Sequence, residues 1–333
     1  MAVKKEAIKL KVAQQKEDKS FDPQVIVWAA FVGNGLIMVT KFVVAIFSGS
    51  IAMLAEAVHS VADTFNQLFL IISLKLGAKP ADEKHPFGYG KERFFWAFIA
   101  ALIIFFVGSF FSIYEGARKI IEGGHGSEQS YFVIGLAVLG IAFIFESISI
   151  GIAVREVRHG MKKAKKSLLD FVTQTRDLTL KTVLFEDGAA LFGLVFAAIG
   201  MYLSKVYETA LFEGLASILI GIILAVVAFY LAKEARTLLL GAAAGKEELK
   251  HMLKVFLEEP NVEKVIDLLT MYMGPESILL TSHLQINDSL SSTEQESLID
   301  ELERKIIKVV PKVKKVFIEP EIIDHRPLEK DLK

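Results

Sequence analysis

Six stretches of mostly apolar residues, at about 25–47, 51–76, 94–114, 132–154, 182–203 and 211–231, dominate this sequence. A helix needs about 20 such residues to cross roughly 30 Å of hydrocarbon. This constrains the fold more than any other feature, because a segment in lipid must satisfy its backbone hydrogen bonds internally. The reading is an α-helical membrane protein with six transmembrane helices. Composition agrees: 53% of residues are apolar and 23% are charged, with a mean hydropathy of +0.45. So many charges in so apolar a chain must be segregated into a soluble part. The net charge of −1 gives no reason to expect a nucleic-acid partner, and there are no cysteines. Disulfides and thiolate metal sites are excluded, so any metal ligand is His, Asp, Glu, Asn or backbone.

Residues 1–24 mix Lys4, Lys5, Glu6, Lys9 and Lys11 with few apolar residues and do not read as a signal peptide. They are expected to form a cytosolic arm. Lys and Arg mark the cytosolic connections. One side holds this arm, the loop with Lys75, Lys79, Lys84, Lys91 and Arg93, and the loop from Arg155 to Arg176. The other side holds Ser48–Ser50, Arg118, Lys119 and Lys205. Both termini are therefore expected in the cytosol, with the plasma (inner) membrane as host. The run Lys162–Lys166 reads as a solvated loop beside anionic headgroups.

The expected transmembrane domain covers 25–240, and 241–333 forms a separate cytosolic domain joined through Gly241–Gly245. Periodicity predicts a helix at 246–258, strands at 262–274 and 277–286, a helix at 292–309 and a strand at 313–320. This is a small α+β domain in the order α-β-β-α-β. Ser292 to Gln295 reads as a capping box opening the second helix.

The second span carries Glu56, His59, Asp63, Asn66 and Gln67. At 100° per residue these fall within an arc of about 100°, and the remaining faces are apolar. Ionisable groups at membrane depth must face a protein interior, a water cavity or an ion. His59 and Asp63 stand at i, i+4 and can reach one cation. Imidazole with carboxylate suits zinc and other first-row divalent metals. An interhelical hydrogen-bond pair is the plainer alternative. Glu56 lies one turn nearer the outer face, where it is expected to meet water or a loop.

The fifth span carries Glu186 and Asp187, whose adjacent positions point about 100° apart, so that only one faces a shared site. Ala189, Gly193 and Ala197 follow at four-residue steps, a seam of small residues that permits close helix approach. The fourth span has its own acid, Glu146, flanked by Ser147 and Ser149. An ion or proton role and a packing hydrogen bond are both open for it.

These residues resemble the cation diffusion facilitator family over about 25–325. The resemblance rests on Ser50-Ile-Ala-Met-Leu-Ala-Glu-Ala-Val-His-Ser-Val-Ala-Asp63 and on Pro80-Ala-Asp-Glu-Lys-His85-Pro-Phe-Gly-Tyr-Gly-Lys91-Glu-Arg93. It implies six helices, a cytosolic metallochaperone-like (ferredoxin-like) dimerisation domain, and a homodimer that exchanges a divalent cation for protons by alternating access. His59 and Asp63 match the second-helix half of that family's transport site, and Asp187 matches the final acid of the fifth-helix half. Where the family carries His or Asp four residues earlier, this chain has Val183, which cannot ligate. Glu186 or a water is the substitute. The departure resembles the branch that includes mitochondrial zinc transporters. Asp82 and His85 match a second metal site of some members, although Tyr89 replaces a further His. A turn fixed by Pro80, Pro86, Gly88 and Gly90 is the plainer reading. Lys91 and Glu213 match a structural ion pair. His283 matches a metal position of the C-terminal domain, where Phe317-Ile-Glu-Pro320 replaces the metal-binding motif.

The expected function is proton-coupled efflux of a divalent cation, zinc first because His59 is a ligand, with manganese, iron and cobalt as alternatives. The cation is substrate, and no resident cofactor is implied. The expected partners are the cation, protons, lipid and a second copy of the chain. An enzyme is not expected, since no His-Glu-x-x-His motif or nucleophile elbow is present. A non-transporting metal sensor is the remaining rival.

Overall fold

The computed structural model describes residues 23–123, 129–164 and 178–321. The arm through residue 22, the basic residues Lys165, Lys166 and Arg176, and His125 and His325 lie outside the described residues. Six helices are long and apolar enough to cross a membrane. They are α1 (Pro23–Ser48), α2 (Ile51–Gly77), α3 (Glu92–Glu122), α4 (Gln129–Ala164), α5 (Leu178–Tyr207) and α6 (Leu211–Leu240). A smaller domain follows, with α7 (Lys246–Leu257), β1 (Val262–Gly274), β2 (Ser277–Ile286), α8 (Ser292–Val309) and β3 (Val313–Glu321). The six-span reading and the α-β-β-α-β order both hold, because each rests on a local period of apolar residues.

The chain divides into two compact units, each described by itself. The first comprises the chain up to Ile72 with Ile103–Phe145 and Ala189–Ala225. Its α1–α2 turn needs Gly49 at φ 61°, a left-handed conformation that glycine adopts without strain. Ser50 then caps α2, its hydroxyl accepting the Met53 amide at 3.3 Å. Small residues bring α3 and α6 together. A Cβ on Gly116 would stand 2.6 Å from the Gly214 carbonyl oxygen, and one on Gly221 would stand 2.8 Å from that of Ser109. Ser217 donates across this contact to the Ser112 carbonyl at 2.7 Å. Without a hydrophobic drive between helices in lipid, such backbone approach is a main source of packing energy. Within α3, Ile104–Phe110 is π-helical, a local expansion that apolar periodicity does not signal.

The second unit comprises Ser73–Leu102, Glu146–Gly188 and the chain from Val226. Its sheet has the order β1-β2-β3, with β1 antiparallel and β3 parallel to β2. Along β2 every second residue is buried, from Ile278 to Ile286. That face packs under Met252 and Phe256 of α7 and Leu298, Leu302 and Ile306 of α8. The same apolar cluster includes Phe94 of α3 and Ala235 and Leu238 of α6. The loop before α3 meets the β1–β2 turn backbone to backbone: a Cβ on Gly90 would stand 2.5 Å from the Met273 carbonyl oxygen.

The capping box of α8 sits one residue earlier than expected. Glu294, not Gln295, reaches back, accepting the Ser291 amide at 2.8 Å and hydroxyl at 2.6 Å. A carboxylate is the stronger acceptor and complements the helix N-terminus.

Candidate functional site

The site residues divide between the two units. In the first, His59 is 2% exposed. Among the described residues neither of its ring nitrogens has a hydrogen-bond partner. Its Nε2 lies 3.6 Å from Asp63 Oδ1, across one helical turn. Two donors 2.0–2.2 Å from one zinc ion at the tetrahedral angle stand about 3.4 Å apart. The pair therefore already has the spacing of two ligands of one tetrahedral ion, and is slightly too open for a direct hydrogen bond. Ala52, Met53, Ala55, Ala57, Val58 and Ala62 of the same helix are buried around it.

Glu56 corrects an expectation. It meets neither water nor a loop: it is 0% exposed. Its Oε2 accepts the Lys41 ammonium of α1 at 3.1 Å, and Lys41 is itself 2% exposed. The small-residue seam of α5 is buried at Ala189 and Ala197. At Gly193 an added Cβ would lie 2.4 Å from Glu56 Oε1. The carboxylate thus sits where only a glycine leaves room. A buried pair of this kind is costly to break, about 3–5 kcal/mol when one partner is removed. Sequence reasoning passed over Lys41. The available signal was a lysine near mid-span, which demands an acid on a neighbouring helix.

In the second unit Asp187 is half-buried on α5 and accepts a hydrogen bond from the Ser149 hydroxyl of α4. Glu186, beside it, is buried. The two acids therefore do occupy different surroundings. Glu146 is half-buried one turn before Ser149. Val183 lies on α5, its side chain outside what is described. Among the described residues no group of three or more His, Asp or Glu is arranged to hold a metal ion.

Asp82 and His85 are brought together in the loop before α3. Asp82 Oδ1 accepts the amides of Lys84 at 3.0 Å and His85 at 2.7 Å, and Oδ2 accepts the Tyr89 hydroxyl at 2.7 Å. The His85 ring packs at a tilt of 39° against Tyr89, with centroids 4.1 Å apart. The Tyr89 hydroxyl, followed by the His85 amide, holds the Asp82 carboxyl below the usual carboxylate range. Tyr89 thus serves as a donor to the acid where a further His would have served a metal.

His283 lies in a row across the sheet, paired with Asp267 on β1 and Glu319 on β3. Its Nδ1 is 3.1 Å from Asp267 Oδ2 and its Nε2 is 3.0 Å from Glu319 Oε2. Both ring nitrogens face carboxylates of the chain itself.

Lys91 and Glu213 lie in different units. Lys91 donates to the Leu239 carbonyl, at the C-terminal end of α6, at 3.3 Å. Glu213 is buried in the first turn of α6, where its carboxylate accepts the Ile51 amide at 3.0 Å.

Comparison with known proteins adds to this geometry. The profile of the cation efflux transmembrane domain matches residues 27–240, and that of the cation efflux protein cytoplasmic domain matches residues 244–322. The chain belongs to the cation efflux (cation diffusion facilitator) family. Among cation efflux relatives, metal tolerance protein C4 of Arabidopsis thaliana is 30% identical over 257 residues, 77% of this chain and 56% of that protein. The mitochondrial proton-coupled zinc antiporter SLC30A9 of Homo sapiens is 27% identical over 252 residues, 76% of this chain and 44% of that protein. The chain thus spans about half the length of these two curated relatives. A transporter of Methanocaldococcus jannaschii is 25% identical over 308 residues, 89% of this chain and 96% of its own length.

Proposed function

We propose that this cation efflux protein exports a divalent metal ion, zinc first, in exchange for protons, with the ion held on His59 and Asp63. One observation carries the proposal. His59 is a buried imidazole with both ring nitrogens uncommitted, and Asp63 lies at ligand-to-ligand spacing from it. The name of the human relative, a proton-coupled zinc antiporter, points the same way. Asp187 is assigned to the same transport step by its sequence position, with Ser149 orienting one of its oxygens. Glu186, buried beside it, is the reserve ligand.

Metal ligands must be deprotonated, so loading the site releases protons, and re-protonation on the far side releases the metal. The protein acts as a homodimer in a cellular membrane with both termini cytosolic, as the basic loops indicate. Asp82–His85 and Asp267–His283–Glu319 serve as structural clusters, with Asp82 held by donors of its own loop and His283 flanked by two carboxylates. Manganese, iron and cobalt are the alternative cargo of the same site.

Uptake of zinc into proteoliposomes tests this. It should rise with an imposed pH gradient and fall to background in His59→Ala, Asp63→Ala and Asp187→Ala. Normal flux in the first two variants would refute the site assignment.

A further inference from the structure

Glu56, His59 and Asp63 share one face of α2, so Glu56 stands about one helical turn from an imidazole assigned to the ion. A glutamate side chain spans that distance. In this structure its two oxygens lie against other groups. Oε2 is taken by Lys41, and Oε1 lies against Gly193 with no hydrogen-bond partner among the described residues. Nothing else in the described residues holds that oxygen. The lysine is therefore the hydrogen-bonding group that holds this carboxylate among the described residues.

We propose that Lys41 is a specificity-determining residue: as the fixed counter-ion of Glu56, it withholds a second carboxylate from the ion on His59 and Asp63. The inference rests on the reading of those two residues as cation ligands. The Lys41–Glu56 pair is electrically neutral as a unit, so the bound dication meets one imidazole and one carboxylate from this helix face. Take the ammonium away, and Glu56 becomes a buried carboxylate without a cation. Such a group is strongly disfavoured unless it finds one. The dication one turn along is the nearest partner by sequence and helix geometry. Adding an oxygen ligand to an imidazole–carboxylate pair moves its preference from zinc toward harder ions such as manganese.

The test is competitive uptake of zinc and manganese by the full chain in proteoliposomes, at a fixed pH gradient. Lys41→Met keeps the chain length and removes the charge. Its manganese-to-zinc rate ratio should rise about tenfold, the factor set by about 1.4 kcal/mol. Lys41→Arg should keep the wild-type ratio. The double variant Lys41→Met/Glu56→Gln should return to the wild-type ratio, because both charges leave together. An unchanged ratio in a transporting Lys41→Met, or an altered ratio that persists in the double variant, overturns the proposal. Should Lys41→Met not accumulate, Lys41→Gln takes its place under the same outcomes: a raised ratio that Glu56→Gln restores supports the proposal, and an unchanged ratio, or a raised one that persists in the double variant, overturns it. A wild type that carries neither ion overturns the ligand assignment, and this inference with it. A transporting wild type whose ratio does not respond to Lys41 overturns this inference alone.

Discussion

The seat of the Glu56 carboxylate makes Gly193→Ala a sharp perturbation. A Cβ there would stand 2.4 Å from Oε1, whereas ordinary contact begins at 3.4 Å, so the carboxylate must retreat by about 1 Å. A retreat that opens the 3.1 Å Lys41 pair by the same amount stretches it to about 4 Å. At an effective dielectric of about 20, the attraction then falls from about 5 to about 4 kcal/mol, a loss of about 1 kcal/mol. Crowding of the packed surroundings adds about 1–3 kcal/mol, and the better helix propensity of alanine returns up to about 1 kcal/mol. The expected net loss is about 1–3 kcal/mol. Gly140 of α4 is the control, since a Cβ there meets nothing within 4 Å. Gly140→Ala should therefore be neutral or slightly stabilising. The assay is thermal unfolding of the purified protein in detergent, with both variants measured side by side. In a Lys41→Met/Glu56→Ala background, the Gly193→Ala penalty should disappear. If Gly193→Ala melts no lower than Gly140→Ala, the carboxylate is not seated against α5 and the reasoning fails.

Three further outcomes are expected. Ser149→Ala removes the donor that orients Asp187 and should weaken apparent zinc affinity about 10–100-fold in uptake assays, with the melting temperature little changed. In the C-terminal domain, Tyr272→Phe deletes the hydroxyl that donates to Glu248 Oε2 at 2.8 Å. It should cost about 1–2 kcal/mol, against about 2–5 kcal/mol for Leu302→Ala in the core, read from denaturation of the full chain. Because the Asp82 carboxyl is held below its ordinary value, the loop it organises gains stability above the unfolded pKa of about 3.9 and loses it as pH falls through the folded value. Hydrogen-exchange protection of the Lys84 and His85 amides should therefore persist from neutrality to mildly acidic pH and collapse only in strong acid. Loss of protection near pH 6 would contradict it.

Much of this protein is legible in the sequence because the informative patterns are local. Six apolar stretches specify six helices, since lipid leaves the backbone no other partner. Alternation along Ser277–Ile286 specifies a strand with one buried face. His59 and Asp63 are readable as a pair because four residues of helix bring their side chains together whatever surrounds them. The errors arise where a residue's partner lies on another element. Glu56 was placed near water because nothing in α2 shows that Lys41 comes down beside it. Lys91 shows the same limit: it donates to the Leu239 carbonyl, and a backbone acceptor carries no residue signature.

Sequence alone determined the span number, the order of elements in the small domain and the adjacency of His59 and Asp63, because helical and strand periods fix which side chains share a face. Only the tertiary structure decided that Glu56 is a buried counter-ion, that Gly193 makes room for it, and that Ser149 reaches Asp187. Those outcomes depend on which helices pack and at what depth. That is set by the interlocking of small and large side chains across helix contacts, and no single segment contains it.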